Sequence, residues 1–298
     1  MADQSKYLIT GASGQLGRLV LDLLLDEYHV APSALIATTR KPEKLAAYAA
    51  RGVTVRSADF DDPGSLQAAF AGATRLLLIS TDAVAVPGQR LAQQRNAVAA
   101  AKAAGVKHVL YTSMTRPDPA SPIPFAKDHV GTEQALLDSG LGYTFLRNHW
   151  YLDSLLTKLP QVLASGKWFT SAGDGRQADI SRQDLARAAA VALLANDGGS
   201  QAYDLGGSKA LSTSEVAALA SEVTGKPIQV VQVTREAQAE ALKGAGLPGF
   251  VVDIVVGFEQ NTLQDRAATV SGDFQKLTGR PPQGVKDFLL ANKAKLTA

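Results

Sequence analysis

Short apolar runs alternate with amphipathic stretches along the first half of the chain. The first run lies within KYLIT, residues 6–10, and the apolar positions behind it repeat with the period of a helix face. Those positions are Leu16, Leu19, Val20, Leu23 and Leu24. Further runs predict strands at Ala34–Thr39, Val53–Phe60, Leu76–Thr81, Val106–Thr112 and Tyr143–Leu146. Strands that alternate with helices in this way predict an α/β fold with a doubly wound parallel sheet of the Rossmann type.

Three glycines, spaced three residues apart, follow the first predicted strand. Gly11 permits a sharp turn, Gly14 lets a pyrophosphate approach the backbone, and Gly17 permits close packing of the helix on the strand. The N–H groups at the start of that helix attract phosphate. Turns are rich in glycine in many proteins, but a triplet between a strand and an amphipathic helix indicates dinucleotide binding.

The second predicted strand ends in cations instead of an acid. An Asp or Glu at this point binds the ribose 2′-hydroxyl of NAD, whereas a cation accepts the 2′-phosphate of NADP. Here the residues are Thr39, Arg40 and Lys41. A solvated loop is the usual place of an Arg–Lys pair, but the offset from the glycine turn favours NADP. Arg40 is then the bidentate phosphate ligand and Lys41 a second charge.

Polar side chains follow the next predicted strands. Asp59 ends the third strand, where it either accepts a hydrogen bond from the adenine amino group or stabilises the turn into the next helix. Ser80 and Thr81 end the fourth, whose continuous apolar run is typical of a parallel strand buried on both faces. Ser113 lies at the tip of the fifth. All four are expected at the edge of the sheet that faces the cofactor.

After about residue 150 the pattern changes to helices and isolated short strands. Ser212 and Glu215 have the spacing of a capping box for a helix that ends at Gly225. We therefore predict two domains. The first is an NADP-binding domain at 1–150, to which a segment at about 168–206 returns, and the second is a smaller, mostly helical domain on the substrate side at 151–167 and 207–298.

Composition limits the classes of function. The 298 residues carry 30 basic and 28 acidic side chains without blocks of one sign, which argues against nucleic acid or an anionic membrane as a partner. No run has the length of a membrane span and the first residues lack a signal-peptide pattern, so the cytoplasm is the expected location. The absence of cysteine excludes disulfides and thiolate catalysis, and no His and carboxylate cluster has metal-ligand spacing. A small-molecule substrate is expected.

The usual proton donor of short-chain dehydrogenases is missing. These enzymes use a Tyr with a Lys four residues later, and none of the seven tyrosines has a Lys at that distance. The helix that would carry the pair offers His129 and Glu133, one helical turn apart. Either Glu133 orients the His129 imidazole as a proton donor or the two form a pair on the helix surface.

Several strings together resemble the NmrA-like atypical short-chain reductases, in particular the members that reduce quinones and triphenylmethane dyes. The strings are ITGASGQLG, TTRKPEK, GVTVRSADF, LLLIS, RNAVAAAKAAGVKHVLYTS, GYTFLRNHWY and AGDGR. The resemblance covers essentially the whole chain and is more specific than the glycine triplet. Two features depart from it: His149 is bulkier than the small residue expected after Leu-Arg-Asn, and the loop Asp82–Gly88 is slightly longer.

The resemblance implies a two-domain reductase that binds NADPH, is often a homodimer, and passes hydride to a quinone lodged between the domains. It implies that Arg40 binds the 2′-phosphate and that Ser80 and Thr81 line the inner cleft. The implied pyrophosphate contacts are Gly11, Ala12, Ser13, Gly14, Gln15 and Leu16. The implied residues of the nicotinamide side are Asn148, Trp150 and Tyr151.

The chemistry of a quinone fits the missing Tyr and Lys. A quinone is already electrophilic, so the protein mainly positions the rings. His129 and Asn148 are the candidate catalytic residues. Trp150, Tyr151 and Phe125 either wall an aromatic substrate or belong to an ordinary core.

Three functions remain open. The favoured one is NADPH-dependent reduction of a quinone or another conjugated acceptor, such as a dye, of the EC 1.6.5 type. The second is a regulator that senses the dinucleotide without turnover, because NmrA-like proteins include such members. The third, an epimerase or dehydratase, is disfavoured by the missing Tyr and Lys. Consumption of NADPH that depends on added quinone separates the first from the others.

Overall fold

The computed structural model describes residues 5–195 and 199–297. Its strands are β1 Tyr7–Ile9, β2 Leu35–Thr39, β3 Thr54–Ser57, β4 Arg75–Leu78, β5 His108–Met114, β6 Gly142–Asn148, β7 Lys167–Thr170, β8 Arg176–Gln177, β9 Gln201–Leu205, β10 Leu211–Ser212 and β11 Gln229–Gln232. Its helices are α1 Gln15–Asp22, α2 Ala46–Ala50, α3 Pro63–Phe70, α4 Gln89–Ala103, α5 Ala126–Ser139, α6 Leu155–Ser165, α7 Arg182–Leu194, α8 Thr213–Thr224, α9 Arg235–Gly244, α10 Gly249–Leu263, α11 Asp273–Thr278, α12 Val285–Ala291 and α13 Lys293–Thr297.

Seven strands of the described residues form one sheet in the order β3-β2-β1-β4-β5-β6-β9. β1 pairs in parallel with β2 and β4, and Leu8 lies opposite Ile36 on one side and Leu76 on the other. The sheet grows outward in both directions from β1 and β4, so a crevice opens between the carboxyl ends of these two strands. The predicted doubly wound sheet is confirmed.

Both faces of the central strands are buried. Leu8 and Leu76 pack in one cluster with Phe70 of α3. Their chain neighbours Ile9 and Leu77 point to the opposite face and are also fully buried. Covered on two sides, these strands need apolar residues at consecutive positions, which explains the continuous runs in the sequence.

The observed strand ends differ from the predicted ones near the polar residues. β4 ends at Leu78, so Ser80 and Thr81 lie beyond the strand instead of within it. β5 continues to Met114, so Ser113 lies inside the strand and not at its tip. β6 extends to Asn148. Backbone pairing does not stop where the apolar pattern stops, and the pattern therefore misplaces these ends.

The chain divides into two compact units. The first comprises Met1–Met114, Asp128–Arg147 and Leu185–Tyr203, and the second comprises Thr115–Lys127, Asn148–Asp184 and Asp204–Ala298. These limits differ from the predicted domains, because 115–127 and 168–184 belong to the second unit and the returning segment is shorter. The physical reason is that β7 pairs with β11 and Trp168 packs into the core of the second unit.

The core of the second unit forms around α6, α8 and α12. It contains Leu159 of α6, Ala220 of α8 and Leu289 of α12. The predicted capping box of α8 is present, because Ser212 Oγ accepts from the Glu215 N–H and the Glu215 carboxylate accepts from the Ser212 N–H. The sequence pattern did not indicate α6 or α12.

Candidate cofactor site

A cleft of about 600 Å³ lies beside the carboxyl ends of β1, β2 and β4 in the first unit. Seven of the residues predicted to bind a dinucleotide line it. They are Gly11, Ser13, Gly14, Arg40, Asp59, Ser80 and Thr81. The cleft lies at the point where the strand order of the sheet reverses, which is where doubly wound folds bind their ligands.

The glycine turn forms one wall of the cleft. Gly11 has φ +57°, a left-handed conformation that favours glycine. A Cβ on Gly17 would lie 2.6 Å from the Gly11 carbonyl oxygen and 2.7 Å from the Ala12 Cα, so no side chain fits there. A Cβ on Gly14 would meet only the Gly11 oxygen, at 3.1 Å, which a small shift relieves. Gly11 and Gly17 are therefore needed by the fold, whereas Gly14 faces the cleft.

The start of α1 has no side-chain cap, so the donors of its first turn are left for an anion. The structure argues against two of the predicted phosphate contacts, those of Ala12 and of the Leu16 side chain. The Ala12 N–H donates to the Thr38 carbonyl at 3.0 Å, and Ala12 is fully buried. The Leu16 side chain is buried in the core, so only its backbone can contribute. Gln15 is exposed at the first position of the helix.

Donors for a phosphate gather at the end of β2. The exposed Arg40 lines the cleft, and the hydroxyls of Ser13 and Thr39 share a hydrogen bond of 2.7 Å beside it. A guanidinium next to hydroxyls is a suitable environment for a phosphate. Lys41 donates its N–H to Thr39 Oγ1 but does not line the cleft in the described part of the chain. Arg18, which donates to the Ser13 carbonyl at 3.0 Å, is a nearby cation that the sequence pattern did not indicate.

The middle of the cleft contains the residues after β4. The Ser80 N–H donates to Thr112 Oγ1 at 2.9 Å, which holds this segment against β5. Thr81 Oγ1 is buried and has no hydrogen-bond partner among the described residues. A hydroxyl that the protein leaves unpaired in a cleft is available to a ligand.

Asp59, two residues after the end of β3, lines the same cleft. Its Oδ1 accepts from the Asp61 N–H at 3.1 Å, so the turn role is present, while the adenine contact stays a prediction. Asp61 and Gln93 also line the cleft and were not predicted. Gln93 lies on α4 one helical turn after Gln89, another lining residue. Gln89 and Gln93 share one face of the helix at this spacing, but the spacing alone does not indicate a ligand site.

The predicted pair of His129 and Glu133 is wrong in both of its interpretations. The residues are 3% and 7% exposed, so they do not form a surface pair. Glu133 does not orient the imidazole, because its carboxylate accepts from Ser113 Oγ at 2.7 Å and from two nitrogens of Arg147 at 3.0 and 2.6 Å. His129 Nδ1 instead shares a hydrogen bond of 2.8 Å with the Tyr111 hydroxyl.

Burial sets the charge state of His129. Desolvation lowers the pKa of His129 well below its ordinary value, and the positive charge of Arg90 lowers the pKa further. Desolvation also raises the pKa of Tyr111, so both partners of this hydrogen bond are neutral. Neither His129 nor Ser113 lines the cleft as far as residues 5–195 and 199–297 show. His129 is therefore not a lining residue of this cleft, and its catalytic role stays a prediction.

The residues predicted for the nicotinamide side belong to the second unit. Asn148 is 8% exposed, and its Oδ1 has no partner in the part of the chain that the structure describes. The Trp150 ring lies 4.0 Å from Phe258 and 6.0 Å from Tyr151, measured between ring centroids. Phe125 meets Phe258 edge to face at 5.9 Å. These rings form an aromatic cluster in which Trp150 stays 38% exposed.

The comparisons with known proteins agree with this geometry. The sequence profile of the NmrA-like family matches residues 3–263. The chain is 40% identical over 277 residues to Quinone oxidoreductase 2 of Escherichia coli (strain K12), which covers 92% of this chain and 93% of that protein. It is 31% identical over 288 residues to the NAD(P)H azoreductase of Xenophilus azovorans, covering 96% and 98%.

Solved structures of reductases are also similar to this chain over nearly its whole length. An Escherichia coli NADPH-dependent quinone oxidoreductase complexed with NADPH superposes with a TM-score of 0.90 at 37% identity, covering 95% of this chain and 98% of that one. The triphenylmethane reductase of Citrobacter sp. superposes with a TM-score of 0.89 at 35% identity, covering 97% and 99%.

Proposed function

This chain belongs to the NmrA-like family, and from that premise we propose that it transfers hydride from NADPH to a quinone or a similar conjugated aromatic acceptor. The observation that carries the proposal is the cleft at the switch point, where Arg40 lies at the end of β2. The relatives described as NADPH-dependent quinone oxidoreductase and triphenylmethane reductase, alike over nearly the whole chain, support the same activity. The chain is an oxidoreductase.

The residues of the cleft fit NADPH. Gly14 leaves open the space that a pyrophosphate needs, and the uncapped start of α1 offers N–H donors to it. Arg40, with the hydroxyls of Ser13 and Thr39, would hold the 2′-phosphate. Thr81 would donate or accept a hydrogen bond deeper in the cleft. NADPH, when bound, supplies the hydride and its electron pair.

The contribution of the protein is mainly orientation. In the first unit, His129, Tyr111, Ser113 and Glu133 are buried and bonded to neighbouring side chains, so they hold α5 against β5. Hydride transfer converts the quinone to a hydroquinone monoanion, which is stable enough to take its one remaining proton from water, so no strong protein acid is needed. The roles of Asn148, Trp150 and Tyr151 on the nicotinamide side stay predictions from the resemblance.

Exchange of Arg40 tests the cofactor assignment. Loss of a charge-assisted contact to phosphate costs about 1.5 to 3 kcal/mol, so Arg40→Ala should bind NADPH about tenfold or more weakly and NADH almost unchanged. Lys41→Ala is the matched control, because Lys41 is exposed and outside the cleft lining, and it should change both affinities little. Calorimetric titration measures both. Equal losses for NADPH and NADH in Arg40→Ala would contradict the assignment.

Steady-state oxidation of NADPH with a panel of quinones and dyes tests the reaction. We expect oxidation only when an acceptor is present. Tight NADPH binding without turnover of any acceptor would favour the dinucleotide-sensing regulator instead. None of the helices in the ranges 5–195 and 199–297 combines the length and apolarity needed to cross a membrane. The cytoplasmic location and the homodimer stay predictions, which cell fractionation and light scattering test.

A further inference from the structure

The wall of the cleft beyond β3 is built from two connected elements. Asp59, Phe60 and Asp61 follow β3, and Gln93 faces them from α4. Asn96 of the same helix donates its Nδ2 to the Phe60 carbonyl at 3.0 Å, which ties α4 to this segment. Gln93 is therefore a lining residue on a fixed helix, and it is only 6% exposed.

The contact with Asp61 determines which way the Gln93 amide points. Gln93 Nε2 lies 2.9 Å from Asp61 Oδ2. A carboxylate can only accept, so the amide nitrogen must face it and the amide oxygen must point away. That oxygen, Oε1, is buried and has no donor from any residue that the structure describes. Gln93, a lining residue, thus carries a fixed acceptor that no described residue satisfies.

The position of Gln93 along the cleft indicates which part of a dinucleotide it meets. The glycine turn follows β1 and would hold the pyrophosphate, and Arg40 follows β2 and would hold the 2′-phosphate of the ribose. The next strand outward is β3, so the residues behind it face the base attached to that ribose. Adenine carries a 6-amino donor, whereas hypoxanthine and guanine carry a carbonyl oxygen at the same place.

Asp59 and Asp61 also bring acceptors to this wall, but Asp59 Oδ1 already receives the Asp61 N–H at 3.1 Å and Asp61 Oδ2 already receives Gln93 Nε2 at 2.9 Å. Gln93 Oε1 is without such a donor. We infer that Gln93 selects adenine, its amide oxygen accepting a hydrogen bond from the 6-amino group, and that Asp61 is the positioning residue that fixes the amide. This inference rests on the proposed function for the binding of NADPH and adds the residue that recognises its base.

The reduced hypoxanthine analogue of NADP is the probe for this inference, since it differs from NADPH only at the purine. Calorimetric titration should show that the wild-type protein prefers NADPH over the analogue at least about tenfold. The analogue places the 6-carbonyl oxygen of its purine against the Gln93 amide oxygen, and two acceptors cannot form a hydrogen bond. Gln93→Leu should weaken NADPH and bring the ratio of the two affinities close to one. Gln94→Leu is the matched control, because Gln94 is a buried glutamine on the same helix that does not line the cleft, and it should keep the ratio.

Asp61→Ala provides a second, independent test. Without the carboxylate the Gln93 amide is free to turn its nitrogen to the ligand, so the preference for adenine should fall several-fold although Gln93 is intact. A merely structural Gln93 would leave the ratio unchanged in both variants. Tight NADPH binding with an unchanged ratio in Gln93→Leu would overturn the inference and leave the proposed function standing, and a ratio that falls in Asp61→Ala alone would mean that Asp61, itself a lining residue, contacts the base. A wild-type protein that binds neither nucleotide would overturn both.

Discussion

The buried carboxyl of Asp179 should make the stability of the protein depend on pH. Asp179 lies just after β8 and is 7% exposed. Its Oδ2 accepts from Gln177 Nε2 at 2.8 Å, while Oδ1 is buried without a partner in the described ranges. Burial raises the pKa of Asp179 from 3.8 to about 7, and the hydrogen bond from Gln177 and the positive charge of Lys158 oppose this shift only in part.

The sign of the effect follows from proton uptake. Between pH 3.8 and about 7 the folded protein holds a proton on Asp179 that the unfolded chain has released. The folded state then binds more protons than the unfolded state, so the free energy of unfolding falls as pH rises, by at most about 1.4 kcal/mol per pH unit. Compared with high pH, the stabilisation from the protonated Asp179 is fully present below pH 3.8. It is lost once the pH passes about 7.

The change Asp179→Asn isolates this contribution. Asn keeps an acceptor for Gln177 and cannot ionise, so the slope of stability against pH is the readout. From pH 5.5 to pH 8 the wild-type protein should lose about 2 kcal/mol through this group, and Asp179→Asn should not. Urea unfolding followed by tryptophan fluorescence measures both. Asp174→Asn, an exposed acid in the same segment, should behave as wild type. Parallel pH profiles for Asp179→Asn and wild type would refute the reasoning.

Two further experiments test the site, one with variants of the glycine turn and one with a variant of His129. Gly17→Ala should lower the melting temperature, because its Cβ would lie 2.6 Å from a backbone oxygen, whereas Gly14→Ala should melt as wild type and bind NADPH more weakly. Thermal melts with calorimetric titration separate the two glycines, and equal behaviour would contradict their separate roles. His129→Ala should cost stability through the lost hydrogen bond to Tyr111 and leave the shape of quinone turnover against pH unchanged from pH 5 to 9. An inflection that disappears in this variant would instead support His129 as a proton donor.

The sheet could be predicted because its signal is local. The run at Leu76–Leu78 and its equivalents are apolar at successive positions, as strands covered on both faces must be. The glycine turn is equally local, since Gly11 and Gly17 act within six residues of each other. The positions of Arg40 and Asp59 then follow from the order of the strands alone.

The second unit was harder to predict because its signals are distant or contradictory. α6 contains Pro160, which usually ends a helix. β7 is only four residues long, and its partner β11 lies more than fifty residues later in the chain. Gln93 shows the same difficulty inside the site, because its role depends on Asp61, 32 residues away, and a lone glutamine near a helix start indicates nothing by itself.

The helix α5 shows how correct spacing can lead to a wrong interpretation. His129 and Glu133 do share one face of the helix, as their separation of four residues requires. That face lies against β5, where Tyr111 and Ser113 share one face of the strand because they are two residues apart. His129 and Glu133 therefore each pair with a residue of the strand, not with each other. Arg147 completes the arrangement by neutralising the Glu133 carboxylate, so the helix that carries Tyr and Lys in short-chain dehydrogenases is bonded here to the sheet.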